Sequence, residues 1–136
     1  MAASEGVVVE GKTMAALGEL ERRVMDVLWG SLGTPLTGRQ IADELPDRAY
    51  TTVLTILESL RRKTLVERTT EGKAHRFGAT ASRETYMAEL MVEALGNAQD
   101  RQAVLVRFAE VVSPEEAVVL RQALEDLPED SGRKNP

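Results

Sequence analysis

The chain contains no cysteine. That removes disulfides, cysteine-ligated zinc and thiolate catalysis together. Its single histidine, His75, can build neither a histidine metal site nor a Cys–His pair. A phosphate contact or a structural hydrogen bond suits His75 better than catalysis. No paired carboxylates fall in an evident pocket and no glycine-rich phosphate loop occurs, so nothing supports an enzyme. Neither a metal nor a cofactor is expected. No apolar run approaches the roughly 18 residues of a membrane span, and no signal-peptide pattern opens the chain. No membrane insertion and a cytoplasmic location are therefore expected. Aromatics are scarce, with one Trp, two Tyr and two Phe among 136 residues. A core must come mainly from aliphatic helix packing, in one compact domain or a small domain with an appendage.

Charge is present but segregated. The net charge of −5 conceals 12 Lys/Arg against 9 Asp/Glu over 12–83, and 5 against 11 over 84–136. Between Arg48 and Arg83 the balance is 8 basic to 3 acidic. A basic segment followed by an acidic one suggests a nucleic-acid module joined to a self-associating module; chance fluctuation in a short chain is the alternative.

The stretch Arg48–Lys63 is the centre of the basic part. Val53, Ile56, Leu57 and Leu60 recur at i, i+3, i+4 and i+7, one stripe of a helix. At about 100° per residue the opposite face carries Arg48, Thr51, Thr55, Glu58 and Arg62, flanked by Thr52 and Ser59. Hydroxyls and guanidinium groups can donate to phosphates and base edges, which makes this a recognition helix. An ordinary amphipathic surface helix would show the same stripe. Before it, a first helix begins near Leu17, buries Leu20, Val24, Val27 and Leu28, and turns Glu19, Glu21, Arg22 and Arg23 to water. Trp29 reads as a core anchor, and Gly30, Gly33 and Pro35 mark the exit. Thr37-Gly-Arg-Gln40 fits a capping box opening a short second helix, with Ile41, Ala42 and Leu45 inward and Pro46 ending it. The pair is a helix-turn-helix. Behind it, 65–70 and 73–77 read as two short strands around Glu71-Gly72, with Val66 and Phe77 inward. Arg68, Lys73, His75 and Arg76 make this hairpin a basic wing.

Residues 1–15 carry no period and read as a flexible N-terminal extension; 129–136 read as a disordered tail. Three helical patterns occupy 80–128. Tyr86, Leu90, Met91, Ala94 and Leu95 form the first stripe, capped by Ser82 and ended by Gly96-Asn97. The stretch 98–111, with Val104 and Phe108, is apolar on more than one side. Ser113-Pro114-Glu115-Glu116 opens the third, which places Ala117, Leu120, Leu124 and Leu127 on one face. Helices this short cannot bury such surface among themselves. A second copy would cover it, unless they fold back on the first domain. The expected fold is mainly α with a small β wing: a winged helix-turn-helix domain at 16–79 and a three-helix dimerisation domain at 80–128.

Leu17-Gly-Glu-Leu-Glu21, Val24-Met-Asp-Val-Leu-Trp29, Ile41-Ala42, Tyr50-Thr-Thr-Val53, Leu54-Thr-Ile-Leu57, Leu60-Arg-Arg-Lys63, Leu65-Val66 and Ala74-His-Arg-Phe77 resemble the penicillinase repressor (BlaI/MecI-type) family. The likeness runs from about Leu17 to Leu127 and is looser in the last three helices. It implies a homodimeric winged-helix repressor on a pseudo-palindromic double-stranded operator, controlling β-lactam-resistance or related genes and its own gene. It implies recognition residues Tyr50, Thr51, Thr52, Leu54, Thr55 and Ser59, and backbone contacts from Arg48, Arg62, Arg68, Lys73 and Arg76. The dimer contacts would be Tyr86, Leu90, Leu95, Val104, Phe108, Leu120 and Leu124. Derepression in the family follows cleavage by a membrane-bound sensor metalloprotease at an Asn-Phe pair, which falls here on Arg107-Phe108. The Phe is kept and the Asn is not, so a protease of other preference, or a different trigger and a non-β-lactam regulon, is the alternative. Copper-responsive relatives sense metal through C-terminal cysteines, which this chain lacks. A winged helix serving protein–protein contact is a further alternative, but such wings carry a more apolar outer face.

Overall fold

The structure, a computed structural model, describes residues 17–128. The extension expected at 1–15 and the tail expected at 129–136 lie outside these. In chain order the elements are α1 (Glu19–Gly30), β1 (Leu36–Thr37), α2 (Gly38–Asp43), α3 (Tyr50–Arg62), β2 (Val66–Glu71), β3 (Ala74–Ala79), α4 (Arg83–Gly96), α5 (Arg101–Val111) and α6 (Pro114–Asp126). They fall into two compact units, one ending at Ala94 and the other beginning at Leu95.

In the first unit α1, α2 and α4 start where side chains can satisfy orphan amides, whereas α3 opens at Ala49 without a side-chain cap. Glu21 of α1 reaches back to the Gly18 amide at 3.2 Å. The box expected at α2 is complete: Gln40 N donates to Thr37 Oγ1 at 3.1 Å, and Thr37 N to Gln40 Oε1 at 2.8 Å. Val53, Leu57 and Leu60 of α3 are each 0% exposed, so the apolar stripe is the buried face. Beyond Lys63 the chain leaves the helix through Thr64 at φ 64°, a left-handed conformation uncommon outside glycine.

β2 and β3 pair antiparallel from Val66↔Ala79 to Glu71↔Ala74, so the turn is Gly72-Lys73, one residue later than expected. Gly72 takes φ 61° there, which its missing Cβ permits. A third strand, β1, pairs Leu36 with Phe77 and Thr37 with Arg76, giving the order β1-β3-β2. Two residues carry no periodicity, which is why pattern reading misses it. β1 ties the approach to α2 onto the wing, and Phe77 is thereby buried.

Fourteen buried hydrophobic residues from α1, α2, α3, the wing, α4 and the connecting residues Leu45 and Leu65 form one cluster. Trp29 anchors it as expected: its Nε1 donates to the Ala81 carbonyl at 3.1 Å, and its ring lies 5.4 Å from that of Tyr86. Here one expectation needs correcting. Tyr86 is 2% exposed inside the core of its own chain, so its ring is closed to a second copy. Leu90 packs partly on the same cluster. The first unit therefore extends to Ala94 instead of stopping at residue 79. Ser82 caps α4, accepting from Thr85 N at 3.1 Å.

The second unit is built differently. Asp100 caps α5, and Ser113 with Glu116 forms the expected box at α6, with Pro114 in the first turn. Yet neither helix contains a buried residue. Nine Val and Leu side chains of this unit are 42–69% exposed, Val104, Leu120 and Leu124 among them.

Candidate nucleic-acid interface

The outward face of α3 is uneven along its length. Its first turn carries no acidic residue, whereas Arg61 and Arg62 occupy the last. Thr51 and Thr55 are exposed and Thr52 half-buried. The Thr55 hydroxyl donates to the Thr51 carbonyl at 3.0 Å. Its proton is thus committed to the helix, and what Thr55 presents outward is a methyl group and lone pairs. Such a side chain can meet a thymine methyl and accept from a base amino group.

Glu58 interrupts the face one turn later. It accepts from Arg61 at 3.0 Å and lies 3.6 Å from Arg68. A carboxylate there repels phosphate, so the N-terminal half of α3 is the half suited to DNA. Ser59, expected to read bases, instead donates to Glu21 of α1 at 3.3 Å. Its hydroxyl belongs to the α1–α3 contact. Leu54 also faces inward in part, packing against the core, and its Cδ2 would lie 2.9 Å from a Cβ at Gly38. Glu21, taken from sequence as solvent-facing, is the hub of that contact. It accepts from Lys63 Nζ at 2.7 Å as well as from Ser59 and Gly18. Burial pushes its carboxyl up, but Lys63, the Gly18 amide and Ser59 together hold it below the ordinary value. Arg23, read the same way, grips Asp47 through two bonds of 3.0 and 2.7 Å. This pair ties α1 to the α2–α3 turn and holds the Asp47 carboxyl down to about 2.

The expected phosphate contacts divide into two groups. Arg48 lies 3.7 Å from Asp47, Arg68 3.6 Å from Glu58, and Arg76 3.1 Å from Glu71. These are surface pairs of small energy, which a phosphate can displace. Arg62 and Lys73 are exposed and, among the described residues, hold no ion pair. The wing is internally braced: Thr70 Oγ1 lies 3.1 Å from His75 Nδ1 in the register pair Thr70↔His75. His75 is therefore part of the hairpin's structure. Among the described residues no group of three His, Cys, Asp or Glu could hold a metal ion. No described helix is long and apolar enough to cross a membrane.

A winged helix-turn-helix with a hydroxyl-rich face and a cationic wing is the geometry of a DNA reader. A family model described as penicillinase repressor matches residues 17–126. This chain belongs to the penicillinase repressor family. The transcriptional regulator BlaI of Mycobacterium tuberculosis is 44% identical over 129 residues, spanning 90% of this chain and 93% of that protein. The chain is accordingly a BlaI-type DNA-binding repressor and not an enzyme. Among solved structures, MepR, a regulator of the Staphylococcus aureus multidrug efflux pump MepA, aligns at TM-score 0.48 and 20% identity, over 80% of this chain and 76% of its own. Streptococcus pneumoniae FabT in complex with DNA aligns at 0.46 and 21%, over 86% and 77%.

Proposed function

We propose that the chain represses transcription in the cytoplasm as a homodimer, by occupying a pseudo-palindromic operator. Each copy lays the N-terminal half of α3 in one major groove, the two half-sites about 34 Å or a multiple apart. The observation that carries this is the outward face of α3, where Thr51 and Thr55 stand opposite three residues of 0% exposure. Tyr50, Thr51, Thr52 and Thr55 read base edges, with Leu54 beneath them as apolar support. Arg62 and Lys73 contact phosphates directly, and Arg48, Arg68 and Arg76 do so by exchanging their carboxylate partners. Footprinting on the protein's own promoter, with T55A and R62A variants, tests the assignment. T55A shifts sequence preference. R62A weakens binding to every sequence and, counted over two copies, lowers the salt slope by about two. Unchanged affinity and preference in both variants would remove α3 as the reading element.

Dimerisation falls to the second unit, whose nine exposed Val and Leu side chains need a partner. Leu95, Val104, Phe108, Leu120 and Leu124 supply that contact. Joining two half-site readers raises their effective concentration, so loss of the pairing releases the operator without altering any DNA contact. Derepression of β-lactam-resistance or related stress genes follows from proteolysis near Arg107-Phe108 by a membrane-bound sensor protease. Arg107 is exposed and pairs only within its own helix, with Glu110 at 3.1 Å. Intact-mass analysis of the protein from β-lactam-treated cells should find fragments divided between Arg107 and Phe108. An unbroken chain under full induction would mean a different trigger and regulon.

A further inference from the structure

Arg39 was not among the DNA-contacting residues expected from sequence. It is exposed at the start of α2, and its guanidinium lies 4.0 Å from the centre of the Tyr50 ring at the start of α3. Asp43 sits four residues further along α2, where an ion pair could form, yet the guanidinium turns to the ring. Among the described residues no carboxylate pairs with it. Gly38 explains why the two helices meet here. A Cβ at Gly38 would fall 2.9 Å from Leu54 and 3.5 Å from the Tyr50 hydroxyl, so only glycine admits this approach without a shift. Tyr50 is half-buried and held by this packing.

We infer that Arg39 is a DNA-backbone contact, aimed by the Tyr50 ring. A guanidinium lying over a ring keeps its N–H edge free, and that edge matches two phosphate oxygens. Stacking also removes much of the rotamer freedom that a long side chain otherwise loses on binding. Arg48, Arg68 and Arg76 must first release a carboxylate; Arg39 has none to release. The inference rests on the proposed DNA-reading role of α3 and adds a second helix to the contact surface.

The test uses the full-length protein, a duplex of its own promoter and a duplex of random sequence, titrated over a range of salt. R39A should weaken binding to both duplexes by about tenfold and lower the dimer's salt slope by about two. R39K should restore the slope but not the full affinity, because an ammonium keeps the charge and loses the planar fork. On the random duplex, where base reading does not contribute, Y50A should weaken binding in the wild type and add little in the R39A background. An R39A protein with unchanged affinity and slope, beside an R62A protein that is weakened, would reduce Arg39 to a packing residue. If R62A and T55A are unchanged too, the reading of α3 itself fails.

Discussion

The two units use similar apolar residues to opposite ends. Up to Ala94, Val24, Ile41, Val53, Leu57 and Leu60 are each 0% exposed. From Leu95 onward, Val104, Leu120, Leu124 and their neighbours are 42–69% exposed. Chain length within each unit accounts for much of this. The first gathers side chains from four helices and the wing into one core, whereas α5 and α6 are two short helices without a buried residue. The first unit is thus self-sufficient in its core, whereas the apolar side chains of the second lie open to solvent.

The largest expected effect tests the self-sufficient side. L57A removes a wholly buried side chain and should cost about 2–5 kcal/mol in urea unfolding. L124A, at a position 52% exposed, should lie within about 0.5 kcal/mol in a monomer. Equal losses would erase the contrast. Next, L120D combined with L124D should convert the protein to a monomer in sedimentation and weaken operator binding about a hundredfold. The melting of the first unit should stay as it was. A double variant that remains dimeric would move the contact to another surface.

Acid provides a subtler probe of the first unit. Folding lowers the Glu21 and Asp47 carboxyls, so their contributions are fully present above the ordinary values of 4.5 and 3.8. They are lost as pH falls through the folded values, about 2 for Asp47. Stability measured from pH 5 down to 2 should therefore decline, and E21Q should flatten the decline. At neutral pH E21Q should cost about 1 kcal/mol, since Glu21 is only 16% exposed and holds Lys63 and Ser59. An acid profile identical in E21Q would leave Glu21 without that role. The smallest effect is a gain. T64G should stabilise by about 0.5–1 kcal/mol, because φ 64° suits glycine. A loss would mean that the Thr64 side chain contributes more than its strain.

Much of the fold was legible because its signals are local. The stripe Val53-Leu57-Leu60, the box Thr37–Gln40 and the cap Ser113–Glu116 each depend on residues within about two turns of one another. The wing was visible through Gly72 and the change of period, with its turn placed one residue early. What escaped was long-range. β1 exists only because Leu36 meets Phe77 some 40 residues later. Ser59 looked like a reading residue until Glu21, 38 positions earlier, took its hydroxyl. Arg39 carried no sign at all, since its partner Tyr50 lies on the next helix.

The sequence alone determined which faces are apolar, where the capped helices α2, α4 and α6 begin, and that the outward chemistry of α3 is hydroxyl and cation. Those properties follow from spacing along a single helix, where 3.6 residues per turn decides what points together. Only the tertiary structure decided which apolar side chains find cover, so that Tyr86 is enclosed while Leu124 is not. It also decided which cations are engaged, leaving Arg39 on a ring and Arg68 beside a carboxylate. Those outcomes depend on how elements far apart in the chain meet, and packing distance is a property no local pattern encodes.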